Sequence, residues 1–253
     1  MQPEIGFSTL SKSTALKDIM FAAKHKFAWL EIDLDTNTNL KAETVRKIRQ
    51  TAKDKGIRLI VHTPYFLPTS SLLTEVREAV FRYIEKSCIL ANKLGADRLT
   101  IHPGYREISS ITFQSLASNL KVIASIGKKY EVSICLENFP KSETLLCYAA
   151  QDMIKMLKSV KGLNATLDVG HANTTNIKAH DYLRGIKDFI MDMHLHDNYG
   201  KHDEHNPLGK GNVDFQKLFS MCKKVGYKGP FTLEVLSYKA VLAGRKRILE
   251  LLA

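Results

Sequence analysis

The sequence predicts an α/β fold, a single (β/α)8 TIM barrel over residues 1–253, and three observations predict it. Eight short apolar or β-branched runs alternate with longer stretches of helical period, the pattern of βα units around a parallel sheet. The 253 residues give about 32 per unit, which suits a closed barrel with short loops. No linker, low-complexity tract or change of composition divides the chain. An open doubly wound sheet is the alternative arrangement of the same elements.

In order, the runs are Glu4–Ser8, Ala28–Leu34, Ile57–His62, Arg98–His102, Val132–Glu137, Ala165–Asp168, Ile190–Leu195 and Phe231–Val235. Helical stretches lie between them, among them Ala42–Lys55, Leu72–Leu94, Phe113–Tyr130 and Phe215–Val225. Three of these end at a glycine placed to accept a left-handed backbone after the last turn: Gly56, Gly95 and Gly226.

Hydrophobic residues make up 44% of the chain and charged residues 25%, close to ordinary globular usage, so a full core can be buried and disorder is excluded. No basic start followed by an apolar segment opens the sequence, and no apolar run is long enough to span a bilayer. A cytoplasmic protein without membrane contact is expected. Cys88, Cys135, Cys147 and Cys222 are far apart, form no C-x-x-C, and fall in apolar stretches where a free thiol acts as a small hydrophobe. The balance of 37 basic to 26 acidic residues leaves +11, which favours an anionic partner. The basic residues are nevertheless spread over most helical stretches, and the densest cluster, Arg245-Lys246-Arg247, reads as a solvated helix face.

A barrel builds its site at the C-terminal strand ends, so the residues that end each run carry the information. Six consecutive runs end on metal-binding types: His62, His102, Glu137, Asp168 with His171 close behind, His194, and Glu234. Packing alone would more often stop a strand at Gly, Asn, Ser or Pro, the residues that turns require. Several carboxylates buried around one mouth repel one another and lose hydration, and a cation is what compensates them. The mixed imidazole and carboxylate set suits a divalent transition metal, zinc or manganese first among them, over calcium. The loop after the seventh run adds Asp203 and His205, two apart, whose side chains point to one side of an extended segment. His196 is expected to face away from the site as a structural residue. Glu31, opposite Leu30 and Ile32 in alternation, is expected to point into the mouth as a substrate contact.

At these positions the chain resembles the xylose isomerase-like TIM barrel superfamily, which includes endonuclease IV (AP endonuclease family 2) and the sugar and sugar-phosphate isomerases and epimerases. The resemblance spans the whole chain and rests on His62-Thr-Pro-Tyr65, His102-Pro-Gly104, Glu137-Asn138, Asp168-Val-Gly-His171, His194-Leu-His-Asp197, Asp203-Glu-His205 and Glu234, in the family's order and near its spacing. It implies a central metal held by Glu137, Asp168, His194 and Glu234. In endonuclease-like members a second metal is shared by His62, His102 and the bridging Glu137, and a third is held by His171, Asp203 and His205, so one to three ions are expected. Tyr65 matches a position that contacts DNA in the endonuclease branch and that sugar enzymes often carry too, and it is expected to contact substrate. The endonuclease branch carries basic and wedge residues after the second strand, whereas the loop from Asp35 to Leu40 here is short and has none.

The leading expectation is an isomerase or epimerase acting on a sugar, polyol or sugar phosphate, with Glu137 and Glu234 as the two bases that move a proton next to a carbonyl. The alternative is a metal-dependent phosphodiesterase of the endonuclease IV type acting on DNA. A non-catalytic sugar-binding or regulatory barrel is the third class.

Overall fold

A computed structural model describes residues 3–37, 40–107, 112–175 and 177–253. Met1 and Gln2, which open the chain, and Thr38 and Asn39 of the loop after the second run lie outside the described residues.

Eight parallel strands close into a barrel in chain order, the first pairing with both the second and the eighth. They are β1 (Ile5–Ser8), β2 (Trp29–Asp33), β3 (Arg58–His62), β4 (Arg98–Ile101), β5 (Ser133–Glu137), β6 (Leu163–Asp168), β7 (Ile190–Leu195) and β8 (Phe231–Leu233). Each expected run coincides with one strand, β6 beginning at Leu163, ahead of its run, and closure excludes the open sheet. Among the described residues the helices are α1 (Ala15–Lys24), α2 (Ala42–Lys55), α3 (Thr74–Leu94), α4 (Thr112–Lys129), α5 (Ala150–Ser159), α6 (Val169–Asn173), α7 (Ala179–Ile186), α8 (Phe215–Val225) and α9 (Tyr238–Leu252). Gly56, Gly95 and Gly226 follow α2, α3 and α8 in the left-handed conformation, with φ of 67°, 77° and 76°. Their amides donate back to the last carbonyls of the helix, which would otherwise lack partners.

Alternation along the strands sorts the side chains into two environments. Phe7, Leu30, Ile32, Leu99, Ile101, Leu136, Leu167, Met193 and Leu195 face outward and join helix residues such as Ile19, Ile48, Ile84, Leu120 and Ile248 in one continuous apolar shell. All four cysteines are free and buried, as their apolar neighbourhoods predict. The inward set is different. At the lower end Trp29 lies where a β-carbon on Gly6 would come within 1.8 Å of its indole, so Gly6 makes room for the ring. Above it are Thr100, Cys135, Thr166, Asp192 and Thr232, all buried, with Thr100 and Thr166 hydroxyls 3.1 Å apart and Thr232 donating to Asp192. The polar strand ends crown these layers. No helix among the described residues is long and apolar enough to cross a membrane.

Candidate metal centre

Strand register brings the expected residues together. Asp168 and His194 are partners across β6 and β7, and Glu137 lies beside Thr166 across β5 and β6. Glu234 follows β8, where its amide donates to the Leu195 carbonyl and fixes the turn into the mouth. The result is an inner group of Glu137, Asp168, His194 and Glu234, with ligand atoms within 4.8 Å of one another. His194 Nδ1 is its centre, 3.1 Å from Glu234 Oε1, 3.4 Å from Glu137 Oε1 and 4.0 Å from Asp168 Oδ2.

Two further groups adjoin it. His62, His102 and Glu137 form one, with His62 Nε2 2.8 Å and His102 Nε2 3.4 Å from Glu137 Oε2. Glu137 thereby serves both groups, one oxygen to each. The outer group is His171, Asp203 and His205, both imidazole Nε2 atoms lying 3.1 to 3.2 Å from Asp203 Oδ2. Asp168 links inner to outer: its carboxylate caps α6 by accepting from the His171 amide at 2.6 Å, and this turn presents His171. Asn138 clamps the Asp168 backbone from both sides, donating to its carbonyl and accepting from its amide, each at 2.9 Å.

The tautomers fit a cation. His62 Nδ1 donates to the Thr63 carbonyl, His171 Nδ1 to that of Asn138 and His205 Nδ1 to that of Glu234, at 2.7, 2.8 and 3.0 Å. His194 donates through Nε2 to Glu31 Oε2 at 3.2 Å. In the neutral form of each ring the other nitrogen would then turn a lone pair toward a cation held among the carboxylates, the arrangement in which a carbonyl or carboxylate behind a histidine orients it for a metal. His194 Nδ1 is buried with no hydrogen-bond partner among the described residues, and so is Asp203 Oδ1. Buried polar atoms left this way need an explanation, and a divalent ion supplies one for this donor set.

Electrostatics separates the two glutamates. Burial raises the Glu137 carboxyl, but His194, His102 and His62 outweigh it and hold Glu137 well below the usual range. Burial pushes Glu234 up to about 8, with Glu137, Glu31 and Asp168 adding to the rise against the pull of His194. His62 and His171 rise to about 10 and His205 to about 9, carboxylate neighbours outweighing burial in each. His102 falls to about 3 through burial.

The mouth is open above these groups as two joined lobes of about 130 and 170 Å³. The first is lined by His62, His102, Glu137, His171, Asp203, His205 and Glu234 with Tyr65, Asp33 and Asp35, Asp168 and His194 being fully buried behind them; the second extends past Ser8, Thr9, Ser11 and Thr36 to Leu236. The Tyr65 ring sits 4.8 Å from the His102 ring and 5.0 Å from that of Phe139, and its amide donates to Asp35. No lysine or arginine lines either lobe among the described residues.

Two expectations are corrected. Glu31 faces inward, but it is fully buried beneath His194 and lines neither lobe, so it backs the imidazole instead of meeting substrate. His196 turns toward the site, because residues two apart on a strand share a face: its Nε2 lies 3.1 and 3.2 Å from the two Asp168 oxygens. The same period of two also locates Asp192, buried below His194 with carboxylate and Nε2 3.7 Å apart, which went unrecognised in the sequence.

The chain matches the family described as xylose isomerase-like TIM barrel over residues 19–252. It is similar to the crystal structure of a D-tagatose 3-epimerase-like protein, with a TM-score of 0.89 and 26% identity over 98% of each chain. An uncharacterized protein of Methanocaldococcus jannaschii is 29% identical over 84% of this chain and 76% of its own length. A probable endonuclease 4 of Mycobacterium leprae is 22% identical over 78% of this chain and 81% of its own.

Proposed function

This chain belongs to the xylose isomerase-like TIM barrel family, and from that premise we propose that it is a divalent-metal-dependent isomerase or epimerase acting on a sugar, polyol or sugar phosphate. The observation that carries the reading is that Glu137 and Glu234, from β5 and the end of β8, both line an open pocket and converge on the same nitrogen of the buried His194. Moving a proton next to a carbonyl needs a base at the carbon and an electrophile at the oxygen. Glu137 and Glu234 are the bases in this reading. Asp168 and His194 complete the ligand set, and a bound zinc or manganese ion would polarise the substrate's carbonyl and hydroxyl oxygens. Tyr65 and the hydroxyl-rich lobe of Ser8, Thr9, Ser11 and Thr36 offer contacts to the rest of a polyol. The likeness to the D-tagatose 3-epimerase-like protein supports the same class.

A second reading, a phosphodiesterase of the endonuclease IV type, is favoured by the two additional groups around His62 and His171 and by the endonuclease 4 relative. The lining argues against it, since a duplex brings many phosphates and the pocket presents carboxylates with no lysine or arginine among the described residues. The test is a panel of ketoses, free and phosphorylated, incubated with metal-loaded protein in D2O. Solvent deuterium is expected at the carbon beside the carbonyl of at least one, and abasic-site duplex is expected to stay intact. Incision that disappears in His205→Ala, with no exchange into any sugar, would reverse the order.

A further inference from the structure

We propose that His196 is a positioning residue that aims Asp168 into the inner group and ties that group to the outer one; this rests on reading the mouth as a metal centre. His196 is fully buried, and its Nε2 faces both oxygens of Asp168, at 3.1 and 3.2 Å. With Nδ1 unpartnered among the described residues, the Asp168 carboxylate is what the ring has to bond, so Nε2 carries the proton and donates. This separates His196 from the histidines around it. His62, His171, His194 and His205 are each held from behind by a carbonyl or carboxylate, so that when neutral their inward nitrogens are free to face a cation. The far nitrogen of His196, Nδ1, has no hydrogen-bond partner among the described residues. Although His196 lies close enough to His171, Asp203 and His205 to be grouped with them, its inward nitrogen is committed to Asp168.

The ring is held by shape instead. It stacks on the His205 ring, centroids 4.0 Å apart and planes 14° apart, and rests on Gly170, where a β-carbon would come within 1.9 Å of its Cε1. Asp168 is thus caught by two donors. The His171 amide takes Oδ1, His196 braces the carboxylate as a whole, and Oδ2 is the oxygen that looks toward His194 Nδ1. His196 Nε2 also lies 3.5 Å from Asp203 Oδ1, so one side chain touches a ligand of the inner group and two of the outer.

Cobalt(II) titration of metal-free protein, followed by its visible absorption band, tests this in wild type, His196→Phe and His196→Gln. Phe keeps a ring to stack and removes the donor; Gln keeps a donor with the reach to Asp168. Phe is expected to weaken cobalt binding by roughly 10- to 100-fold, as loss of a partner behind a ligand does, and to shift the band. Gln is expected to restore most of the affinity and the wild-type band. Melting curves of the metal-free proteins should agree within a few degrees. If Phe binds like wild type, or if Gln is as weak as Phe while both melt normally, the positioning role is overturned. Should Phe fail to fold, Gln with weak binding and a normal melt is sufficient to overturn it. Wild-type protein that takes up no cobalt overturns the metal reading itself, a different result from any of these.

Discussion

The inner and outer groups of the mouth hold the same kinds of side chain by different means. Glu137, Asp168 and His194 stand at the ends of three adjacent strands whose register fixes their spacing, over filled layers of Thr166, Asp192 and Thr232. Asp203 and His205 stand on a loop. That loop is folded by Asp197, whose carboxylate accepts from the amides of Asn198, Gly209 and Val213 at 2.9 to 3.1 Å, while its backbone pairs with Asn206. His205 adopts φ of 48°, a left-handed conformation uncommon outside glycine and costing on the order of 1–2 kcal/mol. The comparison teaches that the barrel builds the inner group with its own framework, whereas the outer group depends on a few hydrogen bonds that can be removed singly.

The sharpest way to separate the two groups is chemical. Glu137→Gln and Glu234→Gln each keep an oxygen and nearly the same shape but remove a base. Turnover is expected to fall by roughly 10²- to 10⁴-fold, more than metal occupancy falls. An enzyme with one base per face should also show each variant exchanging the substrate hydrogen with D2O from only one of two epimers. If turnover simply follows occupancy in both variants, the glutamates are ligands and the base lies elsewhere.

A smaller effect should break the outer group alone. Asp197→Ala removes the acceptor for three loop amides, and metal held through Asp203 and His205 should be lost by dialysis while the inner ion stays. Elemental analysis counts both, and simultaneous loss of all metal would mean that the groups are not independent in this way.

The smallest expected effect is in the pH dependence of the metal-free fold. His62, His171 and His205 bind protons more tightly folded than unfolded, rising from 6.5 to about 10, 10 and 9, and Glu234 rises from 4.5 to about 8. Each contributes stability that is complete below its unfolded value and lost as pH climbs through its folded value. Melting temperature without metal should therefore fall between about pH 5, where Glu234 begins to lose its share, and about pH 10. Zinc or manganese should narrow the drop by occupying what the protons leave, and a melt that rises over this range would contradict the assignment of charges.

Much of this was legible in the sequence, for physical reasons. The eight strands showed because parallel strands buried on both faces read as short apolar runs, and His62, His102, Glu137, Asp168, His194 and Glu234 showed because each interrupts such a run at its end. Asp203 and His205 were legible as a pair two apart on one side of an extended segment, but their route to the mouth was not, since what brings them there is the Asp197 hydrogen bonds across the loop. The short helices α6 and α7 escaped because five and eight residues carry too little periodicity. His196 was misplaced although residues two apart on a strand share a face, which sets it on the side of His194; Glu31 was misplaced for a different reason. Alternation tells which face a side chain takes, but depth along the barrel decides whether it meets solvent or a neighbour, and depth comes only from register.

The most direct measurement is the metal content of purified protein after exhaustive dialysis, in wild type and Asp168→Ala. At least one tightly held divalent ion per chain is expected in wild type, and its release in the variant with the barrel still folded. Wild-type protein that carries no metal and has no affinity for added zinc or manganese would contradict the account at its centre.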